Sequence, residues 1–223
     1  MSYGKTFPLL RKEAGPHWPA YTDHAFVRGL RDGTLPSEAF LHYLKQDYLF
    51  LIHFSRAWAL GVTKADTIEE MRHCAATVNA LMNEEMSLHV GICAAAGITE
   101  AQLFETEERA ANLAYTRYVL DAGHSGDFLD LLAALAPCVM GYGEIGARLL
   151  AAGGDTPYAE WIATYGGKDY QQVCHQVGAL IDSAVARRMG DNPAQTPRWQ
   201  ALSHRFTTAT RLEVGFWDMG LEP

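Results

Sequence analysis

The stretch from Pro36 to Gly61 constrains this chain more than any other. Pro36 and Ser37 make a helix start, and Phe40, Tyr43, Leu44, Phe50, Leu51, Phe54 and Trp58 then recur at about 3.6 residues per turn. These apolar positions fall on more than one side of the helix. Such a helix is stable only when other elements cover it. The pattern therefore predicts a central, buried helix around which the rest of the chain packs.

The rest reads as more helices, punctuated by Gly and Pro, with no alternating strand pattern. Helices are expected over Phe7 to Ala14, Thr22 to Arg31, Thr67 to Ala96, Glu107 to Ala122, Ser125 or Asp127 to Ala152, Tyr158 to Tyr165, Asp169 to Met189, and from Thr196-Pro197 to Met219. The aromatic segment His17 to Tyr21 reads as a turn. Pro137 is expected to break its helix. Thr67 and Glu70 read as a capping box, on a face that Arg72 marks as solvated. With 223 residues, no repeat and no linker-like stretch, the expectation is one all-α domain over residues 1–223.

Composition narrows the classes of function. Charged residues are only 20% of the chain, which leaves room for a subunit interface, and the net charge of −8 argues against nucleic acid as a partner. Cys74, Cys93, Cys138 and Cys174 never form Cys-x-x-Cys, so zinc-ribbon and thioredoxin-like chemistry is disfavoured. The first residues lack the apolar core of a signal peptide, and no run of about 18 apolar residues is read. The expectation is a cytoplasmic protein with reduced thiols and no membrane partner.

Four groups could carry chemistry. Cys138 follows Pro137 at what reads as a helix start, where free N–H groups would favour a thiolate. Tyr142 shares its face at i+4, and Gly141 and Gly143 would leave that face open to a ligand. A small buried hydrophobe is the competing reading of the same cysteine. Asp47 sits among Leu44, Leu49, Phe50 and Leu51, and is either bonded to a neighbouring helix, turned to water, or aimed at a ligand amino group. Glu213 precedes Phe216 and Trp217 by three and four residues, where desolvation would make it an acid near neutrality, unless it pairs with Arg211. Tyrosines at 43, 48, 115, 118, 142, 165 and 170 could wall a flat heteroaromatic ligand.

Metal and hydrolase patterns are weak. Glu70-x-x-His73 is one half of a bundle di-iron pattern, Glu85 and His89 form an i, i+4 pair, and no second Glu-x-x-His accompanies them. His53 reads as a satisfied core histidine. Neither a Gly-x-Ser-x-Gly elbow nor a phosphate-binding glycine loop is present.

Taken in order, Tyr43-Leu44-Lys45-Gln46-Asp47-Tyr48-Leu49-Phe50-Leu51, Pro137-Cys138 with Gly141-Tyr142-x-Glu144-Ile145-Gly146, Trp161-Ile162-x-x-Tyr165, and Glu213-x-x-Phe216-Trp217-Asp218-Met219 resemble the TenA family, or thiaminase II, from about residue 7 to residue 220. The resemblance implies a haem-oxygenase-like all-α bundle, a homotetramer, and no metal, haem or organic cofactor. It implies hydrolysis at the 5-methylene of an aminopyrimidine in thiamine salvage, with 4-amino-5-aminomethyl-2-methylpyrimidine or thiamine as substrate. By motif, Cys138 matches the nucleophile and Glu213 the proton donor. Asp47 matches the carboxylate on the pyrimidine amino edge. Tyr142 and Tyr165 match substrate-binding tyrosines, and Tyr115 an aromatic stacked on the ring. One position departs. Many members carry Asp-x-x-Tyr, whose tyrosine helps activate the thiol, and here Phe50 stands there. Either Tyr48 or another hydroxyl substitutes, or the thiol is less activated. The other readings are a weakly active or regulatory pyrimidine-binding protein and a di-iron oxidase on the same fold.

Overall fold

The computed structural model describes residues 2–223, and among them every regular element is helical. The α-helices run α1 Thr6–Ala14, α2 His17–Thr22, α3 Ala25–Asp32, α4 Ser37–Lys64, α5 Ile68–Ala80, α6 Met86–Ala95, α7 Glu100–Phe104, α8 Ala110–Ser125, α9 Phe128–Ala152, α10 Ala159–Gly166, α11 Lys168–Met189 and α12 Pro197–Gly220. A π-helical turn, Leu81–Glu85, joins α5 to α6, and a short 3-10 turn, Pro193–Gln195, precedes α12.

The predicted central helix is α4, which α5, α6, α7, α8 and α12 cover. A second central helix, α9, is packed by α2, α8, α10, α11 and α12. Asp127 and Asp130 start it with a reciprocal capping box, each carboxylate accepting from the other's end of the first turn. Between Phe128 and Ala147 every residue of α9 is buried except Cys138 and Glu144. Arg11 and Trp18 hold Glu144 through hydrogen bonds of 2.8 and 3.1 Å. Cys138 has no such partner and faces open space.

Several expectations are corrected. His17–Thr22 is a helix, because Pro16 enters with helical φ and burial of Trp18, Tyr21 and Thr22 holds the turn closed. Pro137 does not break α9; the proline costs one backbone hydrogen bond, and burial on all sides keeps the helix continuous. By length and composition α9 could span a bilayer, against the reading that no such run exists, but 94% of its apolar window is buried inside the bundle. The helix read as Thr67 to Ala96 is divided by the π turn. The helix read from Glu107 starts at Ala110, because the Gln46 side chain takes the Glu107 carbonyl and the Arg109 N–H and holds that segment extended. Glu70 is buried rather than solvated. Arg188 grips both its oxygens at 2.8 and 3.0 Å and draws its pKa down, and the carboxylate accepts from Asp66 N–H instead of closing a box with Thr67.

Candidate active site

A cavity of about 580 Å³ opens between α4, α5, α9, α10, α11 and the π turn. Cys138 lies in its wall with Leu51, Phe54, Glu85, Tyr165 and Tyr170. Asp47, Tyr115, Tyr142 and Glu213 stand behind that wall, among the buried residues.

Cys138 lies in the middle of α9, so no helix N-terminus acts on it. Burial pushes its thiol well above the ordinary value, and the carboxylates of Glu213, Glu85 and Asp47 push it further. The expected depression of this thiol is thereby reversed. The glycine face expected to stay open is filled by protein. A Cβ at Gly141 would fall 2.1 Å from Tyr21 Cε1, and one at Gly143 would fall 2.4 Å from Cys174 Sγ. The open side of α9 is the side of Cys138 itself.

Glu213 is 1% exposed and makes no pair with Arg211. The Tyr115 hydroxyl donates to its Oε1 at 2.8 Å. Burial raises its pKa to about 8, the Asp47 charge adds to this, and Tyr115 opposes it. The carboxyl is therefore mostly protonated at neutrality and can give up a proton there.

Asp47 is 3% exposed and bonded to its neighbours, and both bonds fall on Oδ2: the Tyr43 hydroxyl at 3.1 Å and His89 Nε2 at 2.6 Å. His89 reaches back with Nδ1 to the Glu85 carbonyl at 2.9 Å, which sets its ring plane. Burial pushes His89 down, but the hydrogen bond and charge of Asp47, with Glu85, outweigh it and leave the imidazole raised. The Tyr165 hydroxyl donates to Glu85 Oε1 at 2.8 Å, and burial raises that carboxyl. The Tyr142 ring meets Tyr165 edge-on at 4.9 Å, and its hydroxyl lies 3.3 Å from that of Tyr43. Close contact of α9 with α10 sets this pair: a Cβ at Gly146 would lie 2.4 Å from the Tyr165 backbone carbon.

The two residues considered for thiol activation go elsewhere. Phe50 packs its ring on Phe54, Tyr115 and Phe216 at centroid distances of 5.2, 5.0 and 5.4 Å. The Tyr48 hydroxyl points to Glu100 of α7, 3.4 Å away. Sequence reasoning missed His89 and Glu85 as partners of Asp47 and Tyr165, and missed Tyr21 altogether. The Glu85, His89 spacing was the available signal, and it was weighed only as a metal pattern. Among the described residues no three His, Cys, Asp or Glu side chains converge as a ligand set. His53 is half-buried between Arg56, Arg117 and Glu108.

The chain matches the model of the TENA/THI-4/PQQC family over residues 11–223. A crystal structure of a TenA family transcription regulator from Silicibacter sp. TM1040 is 65% identical, with a TM-score of 0.97 over 99% of this chain and 98% of that one. An uncharacterized protein of Haemophilus influenzae is 43% identical over 96% of this chain and 97% of its own length. An aminopyrimidine aminohydrolase of Halalkalibacterium halodurans is 36% identical over 94% of this chain and 92% of its own length.

Proposed function

Because the chain belongs to the TENA/THI-4/PQQC family, we propose that it hydrolyses the carbon–nitrogen bond at the 5-methylene of an aminopyrimidine. The substrate proposed is 4-amino-5-aminomethyl-2-methylpyrimidine, with thiamine as the second candidate. The similarity to the Halalkalibacterium halodurans aminohydrolase supports the reaction class. The observation that carries the chemistry is Cys138 in the cavity wall, with the Glu213 carboxyl titrating near 8 behind it.

In this mechanism the reactive state of Cys138 and Glu213 holds one proton between them. The sulfur adds to the electron-poor ring as its proton passes to Glu213. Asp47, with Oδ2 held by Tyr43 and His89, offers its other oxygen to the ring's amino edge. Ring electrons expel the amine or thiazole from the methylene, and Glu213 returns the proton to that leaving group. Water adds to the exposed methylene carbon and gives a proton to Glu213. The carbon–sulfur bond then breaks, which restores the aromatic ring and leaves the hydroxymethyl product.

The same reading carries a single-domain homotetramer in the cytoplasm. One apolar core running from Tyr3 to Met219 supports the single domain. Exposed Ile68, Met82 and Phe104 support a subunit interface, and four unpaired cysteines support a reducing compartment. Light scattering after gel filtration tests the assembly. Side-by-side hydrolysis of the two substrates by wild type and Cys138→Ser tests the chemistry. Full turnover by the serine variant, or none by wild type on either substrate, removes the proposal.

A further inference from the structure

We propose that Tyr21 is a positioning residue for Glu213: its hydroxyl, seated in the gap left by Gly141, is the donor that the ionised Glu213 carboxylate takes up. Tyr21 comes from α2, which packs on both α9 and α12, the helices of Cys138 and Glu213. The side chain is fully buried, its hydroxyl has no partner within strict hydrogen-bond geometry, and Glu213 is the carboxyl it acts on. A buried hydroxyl without a partner is unfavourable, and phenylalanine would fill the same space without that cost. Trp18 meets the ring edge-on at 5.7 Å and Trp217 stacks on it at 6.3 Å, so the ring cannot swing away.

Gly141 fixes where the hydroxyl sits. A Cβ there would lie 2.1 Å from Tyr21 Cε1 and 2.5 Å from its hydroxyl oxygen. Only glycine at this position, one turn beyond Cys138, admits the ring. The phenyl ring of Phe50, which carries no hydroxyl, packs on Phe216 and on Tyr115, the tyrosine bound to Glu213. The titratable groups that act on Glu213 are Tyr115 from α8, Asp47 from α4, Cys138 and Tyr142 from α9, Tyr170 from α11 and Tyr21 from α2, and the Tyr142 hydroxyl already lies against that of Tyr43. Asp47 and a Cys138 thiolate oppose its ionisation, and the hydroxyls of Tyr115 and Tyr21 favour it. Tyr115 is already bound to Oε1. Tyr21 is the hydroxyl left to answer a newly formed negative charge.

Only the kinetic arm of the test rests on the proposed hydrolysis. Tyr21→Phe keeps the ring and removes one oxygen. The expected result is an acid limb of the kcat/KM profile displaced upward by about one pH unit, the size of one hydrogen bond to a charged carboxylate. Turnover falls below that limb, and the alkaline plateau is retained. Infrared titration of the protonated Glu213 carbonyl, identified by its loss in Glu213→Gln, needs no substrate and should move the same way. An unmoved carbonyl titration, or an equal loss of turnover at every pH, overturns the assignment of Tyr21. If wild type turns over neither pyrimidine while the titration moves, the hydrolase reading falls and the Tyr21 assignment stands.

Discussion

His89 Nε2 lies 2.6 Å from Asp47 Oδ2, and the two side chains are 0% and 4% exposed. This pair joins α6 to α4 inside the core, and both hydrogen bonds that hold Asp47 fall on Oδ2. Removing one member of a buried ion pair strands the other, at a cost of about 3–5 kcal/mol. His89→Leu is expected to lower stability by that amount in urea denaturation. The raised His89 pKa makes this contribution full below the unfolded value of 6.5, and it fades as pH rises through the folded value. The gap between wild type and variant should therefore narrow at alkaline pH. An equal midpoint for both proteins at pH 6 would contradict the pairing.

The Cys138 thiol is raised by burial and by three carboxylates. In the free enzyme its alkylation by iodoacetamide should be about tenfold or more slower than that of free cysteine at pH 7. The rate should climb only above pH 9, the unperturbed value. Peptide mass mapping reads the site directly, and rapid labelling at neutral pH would contradict a raised thiol. Cys138→Ser should lose turnover while calorimetry still detects binding of the hydroxymethyl product.

Glu213→Gln keeps the shape of the side chain but can neither accept nor return a proton. A fall in kcat of about 10²–10⁴-fold is expected. The acid limb near pH 8 in wild type should vanish with it. A limb persisting unchanged in the variant would assign the proton to another group.

Phe50 stands in contact with Phe216 and with Tyr115, the residue whose hydroxyl binds Glu213. In a Tyr21→Phe background, Phe50→Tyr should place a hydroxyl back beside Glu213 and return the acid limb most of the way to its wild-type position. A profile left at the Tyr21→Phe position would show that a hydroxyl at residue 50 does not reach the carboxyl.

Away from the cavity, Glu70 and Arg188 tie α5 to α11. Arg188 is partly exposed, so solvent screens the pair and Glu70→Gln should cost about 1–3 kcal/mol. The depressed Glu70 pKa makes that stability present above the unfolded value of 4.5 and lost as pH falls through the folded value. Thermal melts at pH 7 and pH 3 should show a gap that closes in acid.

Helix periodicity carried α4, α9 and most of the bundle, because burial on several sides writes itself into every turn of a helix. It failed where tertiary contacts overrule local preference: at Pro137, held helical by its surroundings, and at α2, closed by its buried aromatics. Cys138, Asp47 and Glu213 were legible as polar groups in apolar settings. Their electrostatics were less so. Burial in the packed bundle sets the sign of the Cys138 shift, carboxylates from three other segments add to it, and no local pattern contains either. Gly141 read as room for a ligand, and only the packed structure shows that the room belongs to Tyr21.

The π turn at Leu81–Glu85 behaves as a phase shifter in an otherwise regular rod. One surplus residue there advances everything downstream by about 100° relative to everything upstream. Because of that offset, α5 can present Glu70 to Arg188 while Glu85 and His89 aim at Tyr165 and Asp47. Two faces that a uniform helix would hold in fixed register are thus set independently. Loss of Met82 or Asn83 from this turn would rotate His89 off Asp47 without deleting any residue that lines the cavity.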